Sequence, residues 1–264
     1  MKNLTLSNGI GMPAIGLGTW QLADDLVGVE LITHALEIGY RLIDTAAMYG
    51  NEAAVGRAVR QSGLDRKDIF VVTKLWLDDF GYAPALKAYD ASLERLGLDY
   101  ADLYLIHHPT ADTESYVQSW RALTRLYQDK RVSAIGVSNF RAEQLETLRK
   151  RDLMTPHVNQ IKVSPYLQQM PTREYCLRHN ITVQSYSPLD RGGQLLGDKL
   201  IRKLAAKYNR TPAQVVLRWH IDNGLVPLPK TAHADRLDEN LKLDFKLRDE
   251  DLAAITRLDQ GRLA

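Results

Sequence analysis

Eight short β-rich runs, separated by stretches of helical periodicity, constrain this chain more than any other feature of its sequence. They are AIGLGT (14–19), RLIDTA (41–46), IFVVTK (69–74), ADLYLIH (101–107), VSAIGVS (132–138), HVNQIKV (157–163), ITVQSYS (181–187) and LVPLP (225–229). Most are apolar at consecutive rather than alternate positions, the pattern of parallel strands covered on both faces. Between them LVGVELITHALEIG, NEAAVGRAVRQSG, YAPALKAYDASLERLG, YVQSWRALTRLYQDK and AEQLETLRKRD carry helical spacing. Asn51-Glu52, Thr211-Pro212 and Asp249 mark helix starts, and Gly39, Gly63 and Gly97 stand where helices stop. The spacing is regular except for one longer gap before the eighth run, which leaves room for a long loop and an extra helix.

Eight β-then-α units of this size predict a closed (β/α)8 TIM barrel, because closure removes the sheet edges that an open arrangement would have to protect. The rival, a doubly wound open sheet, carries a G-x-G-x-x-G turn after its first strand; here GLGTWQ (16–21) has neither the third glycine nor an immediate helix. No linker or low-complexity tract divides residues 1–264, which read as one domain. Ahead of the barrel, Asn8-Gly9 within LTLSNGIGMP predicts a two-residue β-hairpin turn, and the hairpin is expected to cap the bottom of the barrel.

Charge narrows the partners. Lys plus Arg number 34 against 32 Asp plus Glu, with no long run of one sign, so neither nucleic acid nor an anionic membrane has an electrostatic footprint to meet. Cys176 is the only cysteine, which excludes an intrachain disulfide and thiolate metal sites and suits a reducing compartment. No apolar stretch is long enough to span a bilayer, and MKNLTLSNGIGMP lacks the apolar segment of a signal peptide. A cytoplasmic protein acting on small molecules is expected.

In such a barrel the functional face lies at the carboxyl ends of the strands. Polar residues there are Asp44, Lys74, His107, Ser138, Asn139, Gln160, Tyr186 and Lys230. Taken singly, Asp44 and Lys74 read as a buried ion pair and His107 as a hydrogen-bonded core residue. Converging from adjacent strands, with Tyr49 five residues after Asp44 and able to fold back over the opening, they have a chemical use. A phenol titrates near 10, and an adjacent ammonium favours phenolate; lowering the value by three units corresponds to about 4 kcal/mol. Lys74 is expected to exert that pull, Asp44 to keep the lysine charged, and His107 to hold a substrate oxygen near Tyr49. That is a general acid aimed at a carbonyl accepting hydride.

The motifs GLGTW (16–20), DTAAMYGNE (44–52), VVTKLW, LIHHP, IGVSNF, NQI, SYSPL, LPKTAHADRLDEN and DQGR resemble, in order and nearly end to end, those of the aldo-keto reductases. Within that family, SPYLQ (164–168) adds a similarity to short bacterial 2,5-diketo-D-gluconate reductase B type enzymes, which also reduce methylglyoxal. The resemblance implies reduction of small aldehydes and ketones by NADPH, with Asp44, Tyr49, Lys74 and His107 as catalytic tetrad and Tyr49 as proton donor. It implies that Ser138, Asn139 and Gln160 hold the nicotinamide carboxamide and that Tyr186 stacks on the ring, with Ser187 and Leu189 adjoining the cofactor. Lys230, Thr231 and Arg236 match the 2′-phosphate set, and Glu239 and Asn240 the adenine contacts. A monomer is the family habit.

Departures from the pattern matter as well. His108 stands where the family often has tryptophan, which predicts a smaller, more polar pocket wall; Lys162, Val163 and Ser164 replace the usual residues after NQI, and Thr231 the usual serine. The ending DQGRLA, without a long C-terminal loop, predicts an open pocket for small or varied carbonyl compounds. Trp20 and Trp76, after the first and third runs, are expected to wall the substrate pocket, while Trp120, Trp219 and Cys176 lie in helical patterns and are expected to pack. His107-His108 is not a metal pair in this reading, since adjacent strand residues point to opposite sides. Two other functions fit the same residues: a Schiff-base aldolase using Lys74, which needs a neutral amine, and a cofactor-bound regulatory subunit.

Overall fold

The computed structural model describes residues 3–261. The chain opens with an antiparallel hairpin of β1 (Asn3–Thr5) and β2 (Gly11–Pro13), with Leu4 opposite Met12. Its turn is longer than the expected two residues. Leu6 N donates to Ile10 O at 2.9 Å, so Ser7, Asn8 and Gly9 form a three-residue loop with Gly9 in the left-handed region at φ 86°. Asn8 stabilises it twice: Oδ1 accepts from Ile10 N at 3.2 Å, and Nδ2 donates across to Ser133 O at 3.0 Å. The second bond ties the hairpin to the start of a barrel strand, at the end remote from the polar strand ends.

Eight parallel strands follow, hydrogen-bonded in chain order: β3 (Leu17–Gly18), β4 (Leu42–Asp44), β5 (Phe70–Leu75), β6 (Ala101–Ile106), β7 (Val132–Ser138), β8 (Val158–Lys162), β9 (Thr182–Tyr186) and β10 (Val226–Leu228). Each overlaps one of the eight runs. Gly16 and Gly18 donate backbone hydrogen bonds to Pro227 O and Pro229 O at 3.1 and 3.0 Å, so the first strand meets the last and the sheet closes into a (β/α)8 barrel.

The helices are α1 (Leu26–Glu37), α2 (Glu52–Gln61), α3 (Tyr82–Leu96), α4 (Thr113–Gln128), α5 (Ala142–Lys150) and α6 (Met170–Arg178). The longer gap holds α7 (Gln194–Gly197), α8 (Lys199–Tyr208) and α9 (Pro212–Asp222), one helix more than expected, and α10 (Ala234–Leu241) and α11 (Asp249–Thr256) follow β10. Thr211 caps α9 through Gln214 N with Pro212 at the first helical position, as its sequence signature requires. Gly56 of α2 could not be larger: a Cβ there would lie 1.6 Å from Leu96 O, so its missing side chain lets α2 and α3 pack closely.

Strand β6 explains why its sequence shows no alternation. Leu103 and Leu105 face the barrel interior with Met12, Leu42, Val72, Val158, Val226 and Leu228, while Tyr104 and Ile106 face the helices with Trp120 and Trp219. Both faces are buried, so the period of two is hidden in a continuous apolar run. Leu6 and Met12 of the hairpin belong to the interior cluster and close the bottom of the barrel. Among the described residues no helix is long and apolar enough to cross a membrane.

Candidate active site

Three adjacent strands deliver Asp44 (end of β4), Lys74 (penultimate in β5) and His107 (just after β6) to the carboxyl end of the barrel. Tyr49 ends the short 3-10 turn Ala47–Tyr49 after β4, which folds it back over the same opening. Lys74 Nζ donates to Asp44 Oδ1 and Thr45 O, both at 2.8 Å, and lies 3.3 Å from the Tyr49 hydroxyl. Its three hydrogens are thereby assigned while its side chain is wholly inaccessible and that of Asp44 is 4% exposed. Burial pulls the ammonium down, but Asp44 and Tyr49 outweigh it, and Lys74 titrates above its ordinary value. A neutral amine for Schiff-base chemistry is therefore disfavoured.

The phenol departs from expectation. Burial pushes Tyr49 up, the charge and hydrogen bond of Lys74 pull it down, and Asp44 pushes it up again; the net direction is upward. Lys74 acts with the expected sign but does not overcome desolvation, and Tyr49 keeps its proton at neutral pH. His107 moves the other way: burial, then Lys74 and His108, hold its imidazole down at about 2, so it is neutral. Its Nδ1 is buried with no hydrogen-bond partner among the described residues. Tyr49 and Trp76 meet the His107 ring edge-on, at centroid separations of 5.5 and 5.0 Å.

His107 and His108 do not point to opposite sides. Their rings lie nearly parallel, 5.6 Å apart with 19° between planes, because β6 ends at Ile106 and strand alternation no longer governs the pair. His108 also meets Trp76 at 6.4 Å, so two of the three expected wall residues stand beside His107. Trp20 lies instead against Arg191, whose guanidinium carbon is 5.0 Å from the ring centroid.

Ser138, Asn139, Gln160 and Tyr186 are brought together as expected. Ser138 Oγ donates to Gln160 O at 2.8 Å, and the Tyr186 hydroxyl donates to Asn139 Oδ1 at 2.8 Å. Gln160 also supports the tetrad, since its Nε2 donates to Asp44 Oδ2 at 2.7 Å and to Gln184 Oε1 at 2.9 Å, which leaves only its side-chain oxygen. Ser187 opens a strained loop, with φ of 48°, 48° and 56° at Ser187, Asp190 and Arg191, while Leu189 packs on the outer core. Lys162 Nζ reaches Asp190 Oδ1 at 3.4 Å and ties β8 to that loop.

Lys230 and Arg236 are exposed, and neither joins an ion pair among the described residues. Thr231 is buried, its Oγ1 accepting from His233 N at 3.0 Å. Of the expected adenine contacts, Glu239 is engaged within the protein, its Oε1 accepting from Thr211 Oγ1 at 2.7 Å, and Asn240 is buried. Trp120 and Trp219 are fully buried in the outer core, and burial pushes the Cys176 thiol up to about 11, so all three are packing residues.

Asn51 and Gln184 were not legible as site residues. Asn51, read as a helix start, does precede α2 but caps nothing; Nδ2 donates to Thr19 O and Leu22 O at 2.8 and 3.0 Å, and Oδ1 accepts from Thr45 Oγ1 at 2.7 Å. It knits the loops after β3 and β4 beside Tyr49. Gln184 supports Gln160 from the next strand, and its only signal was an amide amid an otherwise strand-like run. A cavity of about 450 Å³ lies elsewhere, at the hairpin end between Leu4, Arg173, Leu177 and Leu225, and no tetrad residue lines it.

A buried ammonium, a protonated phenol and a neutral imidazole meet at the carboxyl end of a (β/α)8 barrel, and fold and site together define a barrel enzyme. The chain matches the aldo/keto reductase family over residues 14–260 and belongs to it. It is 45% identical over 262 residues to the methylglyoxal reductase DkgA of Yersinia pestis, covering 98% of this chain and 93% of that one. It is 43% identical over 256 residues to the glyoxal reductase of Bacillus subtilis, covering 97% and 92% respectively. A crystal structure of a Gox0644 mutant in complex with NADPH superimposes with a TM-score of 0.94 at 42% identity, over 100% of this chain and 96% of that one.

Proposed function

We propose that this protein reduces small aldehydes and ketones to alcohols with NADPH, Tyr49 supplying the proton. One observation carries the proposal: Lys74 Nζ bridges Asp44 Oδ1 at 2.8 Å and the Tyr49 hydroxyl at 3.3 Å inside a desolvated site. A phenol so placed holds its proton in the free enzyme, and the ammonium beside it stabilises the phenolate left after transfer. Neutral His107 offers a ring N–H to the substrate oxygen, and its burial with Trp76 excludes water from that side.

The donor set fits NADPH, which supplies hydride when bound. Ser138, Asn139 and Gln160, whose own hydrogens are engaged within the protein, offer side-chain oxygens to accept from the carboxamide N–H2, and Tyr186 offers an aromatic face for the ring. Two cations without carboxylate partners among the described residues, Lys230 and Arg236, suit the dianionic 2′-phosphate, with Thr231 adjoining them. The substrates we assign are 2-oxoaldehydes such as methylglyoxal and keto-sugar acids such as 2,5-diketo-D-gluconate. The names methylglyoxal reductase and glyoxal reductase among the relatives favour the first group, as does the polar wall at His108. Following NADPH absorbance against methylglyoxal, 2,5-diketogluconate and aromatic aldehydes tests this reading. Turnover is expected with methylglyoxal, and no oxidation of NADPH with any carbonyl compound overturns it.

A further inference from the structure

The amide of Asn139 is oriented by a neighbour that leaves no choice. The His107 carbonyl can only accept, and it lies 3.0 Å from Asn139 Nδ2, so that atom is the amide nitrogen; the opposite atom, Oδ1, takes the Tyr186 hydroxyl. The same Nδ2 lies 3.1 Å from His108 Nε2 and 3.1 Å from Ser138 Oγ. An amide nitrogen has hydrogens to give and cannot accept. His108 Nε2 must therefore be the acceptor, which puts the imidazole proton on Nδ1.

We propose that His108 is a positioning residue for the nicotinamide: its Nε2, with the His107 carbonyl and the Tyr186 hydroxyl, holds the Asn139 amide in the orientation that meets the carboxamide. The inference rests on the cofactor reading above and adds a residue to it. The imidazole is itself fixed, parallel to His107 and edge-on to Trp76. Asn139 has a left-handed backbone, φ 63°, and its own N–H is committed to Gln160 O at 2.9 Å, so the side chain is the part left to be oriented. An indole at position 108 offers a donor and no acceptor and could not make this contact. The anchor is thus a property of this chain's histidine.

Protonation at Nε2 would set N–H against N–H and remove the anchor. The titratable groups about the imidazole are His107, parallel to it and itself acted on by Lys74, and Tyr186 of β9, joined to it through Asn139. Burial holds His108 below the usual histidine value, so the anchor is intact at neutral pH and fails only in acid.

The test compares binding of NADP+ with that of adenosine 2′,5′-bisphosphate, which lacks the nicotinamide, by quenching of tryptophan fluorescence. His108→Leu is expected to weaken NADP+ about five-fold, the contribution of one neutral hydrogen bond, and to leave the bisphosphate unchanged. His108→Gln, whose side-chain oxygen can accept in the same place, is expected to restore NADP+ binding. In acid, wild-type NADP+ affinity should fall more steeply than that of His108→Gln, because only the imidazole titrates at position 108 while the 2′-phosphate titrates alike in both. Equal NADP+ affinity in His108→Leu, or an equal loss for both ligands, overturns the role of His108 alone. A wild type that binds no NADP+ overturns the cofactor reading beneath it.

Discussion

Gln160 Nε2 donates to Asp44 Oδ2 at 2.7 Å, joining β8 to β4 across the mouth of the barrel. With Oδ1 on Lys74, both oxygens of the buried carboxylate are engaged, so its direction is fixed and the lysine cannot swing away from Tyr49. Replacing Gln160 by Leu strands Oδ2 without a donor. A loss of about 1 to 3 kcal/mol in stability is expected, measurable by urea unfolding, together with a lower kcat. A variant as stable as the wild type would show that Asp44 does not depend on this amide.

Tyr49→Phe removes the hydroxyl and little else, since the ring contacts with His107 and Lys74 remain possible. General-acid catalysis contributes roughly 100- to 10,000-fold, and a fall in kcat of that order is expected with NADP+ binding retained within about two-fold. Full turnover in this variant would refute Tyr49 as the proton donor.

Arg236 is exposed and stands apart from the tetrad, so its removal reports on the cofactor alone. Arg236→Ala is expected to raise KM for NADPH roughly ten-fold, the scale of a charge-assisted contact to phosphate, and to leave KM for NADH as it was. Steady-state kinetics with both cofactors decide the matter; an unchanged KM for NADPH removes the phosphate assignment.

Stability should fall as the medium is acidified below neutrality. Burial holds His107 at about 2 and His220 at about 4; for His220 the Val216 and Val163 carbonyls favour the charged ring, but desolvation outweighs them. Both folded values lie below the unfolded value near 6.5, so in weak acid the unfolded chain binds protons that the native chain refuses. At and above neutrality the two states hold equal protons and the effect vanishes. Between about pH 6 and pH 5 each group should remove up to about 1.4 kcal/mol per pH unit, and below that His107 continues while the His220 contribution levels off near its folded value of about 4. Urea unfolding across that range checks this, and a level curve would mean that neither imidazole is held neutral by the fold.

The barrel and the meeting of Asp44, Tyr49, Lys74 and His107 at its mouth were legible because they rest on local chemistry. Consecutive apolar runs announce strands buried on both faces, and a charged or polar residue at the end of such a run announces a functional end. Asp44, Lys74 and His107 met both conditions, and Tyr49 was close enough in the chain to return to them. The three-residue turn was less legible: Asn8-Gly9 signals a turn, but its length depends on which residues pair, and here Leu6 bonds Ile10.

What the amino-acid order decided by itself was the set of elements, their sequence, and which residue types stand at the strand ends. Tertiary structure alone decided that Gln160 serves Asp44, that Asn51 ties two loops rather than capping a helix, and that the rings of His107 and His108 lie side by side. It also decided the state of Tyr49. An ammonium nearby in sequence pattern says which way a charge will pull, but the opposing desolvation depends on how many neighbours exclude water, and that is known only when distant strands have closed around the phenol.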